Sequence, residues 1–326
     1  MSTLERTIAE ALFDSAIRLA IVVLVAEIVT RRLVAQAPAS VHRLWRLVAA
    51  GALILPLIAA VVPVAVVIQP SPALAVFDDT GGPLLRYAVW LAMFGTAVGL
   101  CRLIVGLASM RALVRASRVV SGRRRAWPRP VFLESDRIAA PVTFGLLQRY
   151  VALPVTWRTW DRSRRRAVLV HELSHVKRLD YAAALAAALL RSIWWWHPAA
   201  WIVGARLSLT AELACDARAG ARLGPAAYAQ ELLAVVAESG GRRLRSGWLP
   251  GAGSRLSARI DALLASDRRP RDTGSATGVA FAVVIVALAV TCAATSVRVT
   301  PLAQIVPAVT FDHDALHAIR HTGSKK

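Results

Sequence analysis

Acidic residues are scarce in this chain. Twenty Asp and Glu stand against forty Lys and Arg, giving a net charge of +20. An excess of that size admits two readings, a nucleic-acid partner or a membrane. No zinc-finger or other nucleic-acid-binding motif is present, and the basic residues sit in blocks beside apolar runs. Direct nucleic-acid binding is therefore not expected. Cysteine is equally sparse, with three in the chain, which excludes a disulfide-built scaffold. Cys101 and Cys292 lie in apolar runs and Cys215 lies near a proposed site, so no pairing is implied and a reducing compartment suits Cys215. A cleavable leader is not expected either. The first residues include Glu5, Glu10 and Asp14 instead of a basic segment, and no small-residue cleavage site follows.

What the chain has in quantity is apolar side chain. It is 56% hydrophobic, with a mean hydropathy of +0.51, above the roughly 45–50% apolar content of soluble domains. Four runs are long enough to approach a bilayer span. They are Leu12–Val29, which carries Asp14, Arg18 and Glu27; Leu47–Ile68, free of charge but holding Pro56 and Pro63; Leu84–Leu107, with Arg86 and Arg102 near its ends; and Thr277–Val297, again free of charge. Basic loops fix the orientation. Arg31, Arg32, His42, Arg43 and Arg46 follow the first run. Arg111, Arg115, Arg118 and Arg123–Arg125 follow the third, and Arg268, Arg269 and Arg271 precede the fourth. The connection Gln69–Pro83 has Asp78 and Asp79 and no Lys or Arg. The N-terminus is then outside and the long middle block is cytoplasmic.

The layout predicts a mainly α membrane protein with about four transmembrane helices. Residues 1–109 form a three-span membrane region and residues 110–272 a cytoplasmic α+β domain with a small β-hairpin or sheet. Residues 273–298 form the fourth span, and residues 299–326 a short outer tail whose His313, His317 and His321 are read as solvated. A further apolar run, Tyr181–Val203, is broken at His197-Pro198 and contains Arg191. It admits a fifth span, a re-entrant segment or a buried helix pair near the membrane surface. The last is preferred, because a full crossing would separate Glu212 from the histidines it is expected to join.

Those histidines belong to His171-Glu172-Leu173-Ser174-His175. On a helix, residues four apart share a face. Both imidazoles can then hold one zinc ion, and Glu172 can act as general base on water activated by it. Asp161 or Ser163 can cap this helix. Arg164–Arg166 sit early in it, where positive charge is unfavourable; a solvated face or anionic lipid would accommodate them. A catalytic ion needs a third protein ligand and an open position. Glu212 is the expected ligand, on a helix that Pro198 can start. Asp216, one turn later, is expected to accept a proton from the outer nitrogen of His171 or His175. Cys215 is the rival ligand. His197, Tyr228 and Arg206 are unranked candidates for a donor to substrate or oxyanion, with helix capping the stronger role for His197. Pro130–Glu134 and Tyr150–Pro154 read as strands flanking Pro141–Gly145, and an edge strand there can hold a peptide by β-augmentation.

Several motifs in order resemble the BlaR/MecR family of integral-membrane zinc peptidases, whose best-known members sense β-lactams. They are Pro141-x-Thr143-x-Gly145 leading to Leu153-Pro154, His171-Glu172-x-x-His175 with Arg178-x-Asp180, His197-Pro198-x-x-Trp201, Glu212-x-x-Cys215-Asp216, and Leu256-x-x-Arg259-Ile260-x-x-Leu263-Leu264. The resemblance covers about Met110 to Ala265. It implies a gluzincin-like zinc metalloendopeptidase with one zinc per chain, seated in the cell membrane. It also implies signal transduction by cleavage of a cytoplasmic transcriptional regulator such as a BlaI/MecI-like winged-helix repressor. The large outer penicillin-binding domain of the β-lactam sensors has no counterpart after the fourth run, so covalent sensing of β-lactams is not expected. Two other readings remain, a non-catalytic signalling scaffold with structural zinc and an HtpX-like quality-control peptidase. The sequence carries no signal for oligomeric state.

Overall fold

The computed structural model describes residues 3–33, 38–61, 65–68, 81–121, 129–238, 256–265, 283–284 and 296–299. Most of the fourth apolar run, the outer tail, the acidic connection from residue 69 to 80, Arg123–Arg125, and the basic residues at 268, 269 and 271 lie outside them. The chain is mostly helical with a small sheet. In order it runs α1 (Thr3–Leu33), α2 (Pro38–Val61), β1 (Ala65–Ile68), α3 (Gly81–Ala116), β2 (Arg118–Ser121), β3 (Val131–Ser135), β4 (Val142–Phe144), β5 (Tyr150–Pro154), a 3-10 turn (Val155–Arg158), α4 (Arg162–Arg178), α5 (Asp180–Ile193), α6 (Pro198–Leu223), α7 (Pro225–Glu238), α8 (Leu256–Ala265) and β6 (Ser296–Val299).

Among the described residues, one helical segment is both long and apolar enough to cross a membrane, Arg86–Ala116 in α3, with a mean hydropathy of 1.9. Its large side chains Trp90, Leu91, Phe94 and Ile104 are exposed. Helix α1 has the same outward character. Ile17, Ile21, Leu24 and Ile28 form one exposed stripe, while Arg18 is buried and Glu27 pairs inward with Arg206 of α6. Water would favour the reverse arrangement, whereas hydrocarbon selects apolar side chains outside and charges within. The second apolar run does not stay helical to its end. Helix α2 stops at Val61, just before Pro63, which lacks the N–H a continuing helix needs and restricts the residue before it. Ala65–Ile68 instead forms β1, parallel to β6.

The run Tyr181–Val203 falls on two helices, α5 and the start of α6. Helix α5 has 14 residues, short of the ~20 a bilayer requires. Its connection to α6 packs against α3. Thr96 donates to the Ile193 carbonyl at 3.2 Å, and Trp195 Nε1 donates to the Ala92 carbonyl at 3.3 Å. Gly95 makes the approach possible, since a Cβ there would lie 2.2 Å from the Trp195 ring. Helices α1, α2, α5 and α6 share one core through Leu19, Val22, Trp45, Leu190, Trp194 and Val203. Burial of this helix pair is thus as expected, but it is buried among the N-terminal helices.

The mixed sheet has the order β2-β3-β5-β4. The two strands read from the sequence do not form a hairpin: β3 and β5 pair in parallel, and the intervening β4 turns back antiparallel to β5 at the edge. Gly145, at φ +97, makes that reversal, and a Cβ there would lie 2.1 Å from the Gln148 carbonyl oxygen. Strand β2 falls in a stretch read only as a basic connector. Side chains alternate along β5. Ala152 faces the end of α3 with Leu113 and Leu133, while Val151 and Leu153 face Val168 and Val176 of α4. The sheet therefore fixes α4 from behind and presents β4 beside it.

Candidate metal centre

Asp161 caps α4, its carboxylate accepting from the Arg164 N–H at 2.8 Å. The arginines that follow oppose the helix dipole, and α7 offsets part of this charge through Glu231 and Glu238, which pair with Arg164. The helix ends at Leu179, in the left-handed conformation at φ 59, ψ 38. That one residue reverses the chain, so Asp180 at the start of α5 points back to His175.

His171 and His175 project together from α4. Their Nε2 atoms are 3.2 Å apart, close to the ~3.3 Å expected of two imidazoles on one tetrahedral zinc. The Glu212 carboxylate, from the middle of α6, places one oxygen 3.7 Å from each Nε2. The Cys215 sulfur is also near, its ligand atom and those of the two histidines all lying within 4.8 Å of one another. Cys215 is fully buried and receives Arg178 Nη2 at 2.9 Å. Glu212, by contrast, lines a cavity of about 180 Å³ that also borders Glu172, Thr143, His171 and His175. Two nitrogens with either a carboxylate or a thiolate fit zinc.

The outer nitrogens are both occupied. Asp180 Oδ2 accepts from His175 Nδ1 at 2.8 Å. Asp216 Oδ1 lies 3.2 Å from His171 Nδ1, and Tyr228 Oη lies 2.8 Å from the same nitrogen. These partners hold the Nδ1 protons outward and leave both Nε2 lone pairs converging. The surroundings are strongly anionic. Burial opposes charge on His171, but the Cys215 sulfur, Asp216 and Glu212 outweigh it and raise its pKa to about 9. His175 is raised too, against burial, by Cys215 and Asp180. Burial would raise Asp216, yet Arg259 and His171 hold it down at about 2. A pocket that favours positive charge on two buried imidazoles is suited to a cation.

Glu172 stands beside the pair. Its carboxylate accepts from Thr143 Oγ1 on β4 at 2.7 Å. Arg259 of α8 clamps Asp216 with two bonds of 2.7 Å and reaches Glu212 Oε2 at 2.9 Å. His171, Glu172, His175, Glu212 and Asp216 thus come together as the spacing predicts, and Tyr228 joins them. Its hydroxyl donates to Asp216 at 2.8 Å, and burial with that carboxylate pushes its pKa up. Arg206 instead pairs with Glu27 on α1. His197 caps α6, its Nδ1 accepting from the Ala199 N–H at 3.2 Å. Neither borders the cavity. Sequence reasoning missed the supporting roles of Asp180, Thr143 and Arg259, although each stands in a motif; it also missed His42, whose Nε2 is 3.1 Å from Asp180 Oδ1.

Comparison with known proteins bears on the same region. The family model described as BlaR1 peptidase M56 matches residues 84–263, more than half of the chain. "Regulatory protein BlaR1" of Bacillus licheniformis is 30% identical over 86 residues, 26% of this chain and 14% of that protein. "Methicillin resistance mecR1 protein" of Staphylococcus aureus is 31% identical over 83 residues, 25% of this chain and 14% of the relative. The matched segments thus span about a seventh of the relatives' own length.

Proposed function

Because the chain belongs to the BlaR1 peptidase M56 family, we propose that it is an integral-membrane zinc metalloendopeptidase that transduces a signal by cleaving a cytoplasmic regulator. The observation that carries this reading is the convergence of His171 Nε2, His175 Nε2 and the Glu212 carboxylate beside Glu172, on a cavity. Glu212 is the third ligand in this reading, since it borders the cavity, whereas Cys215 is buried behind with Arg178 on its sulfur. A structural ion would be closed by four protein ligands; three ligands at a cavity leave a position for chemistry.

Zinc, when bound, supplies Lewis-acid activation of water and of the scissile carbonyl. Glu172 takes the proton of the attacking water and delivers it to the leaving amine. Thr143 occupies one Glu172 oxygen and leaves the other to carry that proton. Among the described residues no strand pairs with the outer side of β4. A substrate can add there as a further strand, and Thr143 links that edge to the base. Asp216 and Asp180 hold the two imidazoles by their outer nitrogens.

The membrane reading rests on α3, on the outward apolar stripe and inward charges of α1, and on the basic loops. It comprises four crossings with the N-terminus outside and the peptidase region, about 110–272, on the cytoplasmic side. The substrate we infer is a winged-helix repressor of the BlaI/MecI kind. The deciding experiment co-expresses such a partner with the full chain. Glu172→Ala should retain zinc and abolish cleavage of the partner and of the chain itself, while Glu212→Ala should lose zinc. Undiminished cleavage by Glu172→Ala would overturn the proposal in favour of a scaffold.

A further inference from the structure

His42 lies outside the segment that matches the peptidase family, yet it reaches the metal centre. It sits near the start of α2, 1% exposed. Its Nδ1 is 3.0 Å from Thr210 Oγ1 on α6, and its Nε2 is 3.1 Å from Asp180 Oδ1. At that separation the imidazole and the carboxylate are in direct contact, both buried. The other Asp180 oxygen accepts from His175 Nδ1. One turn along the same face of α2, Arg46 Nη1 donates at 2.8 Å to the Arg178 carbonyl, at the end of α4. Helix α2 therefore grips the α4–α5 corner at two points, and the first is one carboxylate away from a metal-facing imidazole. The corner turns on the left-handed Leu179, a conformation that costs a bulky residue energy and persists only under external support.

We infer that His42 is a positioning residue of the metal centre. It orients His175 through Asp180, so that the placement of α2 sets the geometry at which zinc is held. The N-terminal helices thereby gain a direct line to the peptidase site, and a displacement of α2 is transmitted as a rotation of one imidazole. A carboxylate behind a metal-binding histidine fixes its ring and tautomer; here that carboxylate is itself fixed by a side chain from another part of the chain.

This inference rests on the zinc reading of the site, and the test separates the two. Full-length protein in nanodiscs is titrated with zinc against a chelator, and with Co2+ for its visible absorption spectrum. The variants are His42→Phe, His42→Gln and His42→Asn. The Gln amide reaches the place of Nε2 and can donate to Asp180. The shorter Asn amide reaches the place of Nδ1, facing Thr210. A positioning role predicts zinc binding about tenfold weaker or worse in His42→Phe, a shifted cobalt spectrum, and a loss in kcat with KM held. His42→Gln should restore affinity and spectrum and His42→Asn should not. If His42→Phe fails to fold, the Gln and Asn pair decides alone. Equal behaviour of Gln and Asn, or wild-type affinity and spectrum in a folded His42→Phe, would overturn the inference. A wild-type chain that binds no stoichiometric zinc removes the zinc reading, and the inference with it.

Discussion

The two histidines of the centre are held from opposite sides by differently sourced neighbourhoods. Behind His171 stand Asp216, Tyr228 and Arg259, all buried and drawn from α6, α7 and α8. Behind His175 stand Asp180, Arg178 and His42, from the α4–α5 corner and from α2. Each side has one carboxylate and one arginine, and each arginine also touches a candidate third ligand. Arg259 reaches Glu212 and Arg178 reaches Cys215. The difference lies in what completes them. The His171 side is closed within the family-matched segment, and the His175 side is completed by a residue outside it. One imidazole is thus a fixed reference, and the other can respond to the N-terminal helices.

The largest expected effect breaks the fixed side. Arg259→Met leaves Asp216 and Glu212 in the interior without their shared cation. Removing one partner of a buried ion pair costs roughly 3–5 kcal/mol, and thermal unfolding in detergent should show a loss of that order. Arg178→Met should cost less, roughly 1–3 kcal/mol, because Asp180 keeps His42 and His175. Equal losses would mean the two sides are not closed differently.

Zinc affinity sharpens the same contrast. Asp216→Asn and Asp180→Asn should each weaken zinc binding about 10–100-fold. They should part company when combined with His42→Phe. Asp180 and His42 touch, so their effects should couple by roughly 0.5–3 kcal/mol, whereas Asp216 and His42 share no contact and should add. A chelator-competition titration of the single and double variants measures both couplings. Coupling of Asp216 to His42 would break the comparison.

This division was only half legible in the sequence. The metal-facing groups are written in helical spacing: His171 and His175 one turn apart, Glu212 and Asp216 one turn apart, Asp161 and Pro198 at the helix starts. Periodicity within one helix is local, and local geometry survives in the fold. The responsive side depends on a turn without a signal. A left-handed helix end usually carries Gly, and here it carries Leu179, so nothing marked Asp180 as folding back. His42 and Thr210 are 168 residues apart, a contact that only packing defines. The sheet divides the same way: β3 and β5 were readable as strands, but their parallel pairing was not, since partner choice is made across the chain. The α5–α6 turn divides likewise, because an apolar run tells length and not which helix it packs against. Its position is set by Gly95 admitting Trp195.

The smallest expected effect tests whether the hydroxyl on the fixed side has any counterpart role at the ion. Tyr228 Oη donates to Asp216 and touches His171 Nδ1, but Arg259 already satisfies Asp216 twice. Tyr228→Phe deletes one oxygen and keeps the ring that packs against Ala167 and Leu232. Two buried hydrogen bonds are lost, but Asp216 stays 3.2 Å from His171 Nδ1, so the net cost should stay near roughly 0.5–1.5 kcal/mol in unfolding, with zinc affinity and kcat close to wild type. Asp216 then suffices to orient His171, as Asp180 orients His175 with no hydroxyl at all. A fall in kcat of tenfold or more, with stability and zinc content preserved, would instead show that the Tyr228 hydroxyl orients His171 through its outer nitrogen, and Asp216 alone would not suffice on the reference side.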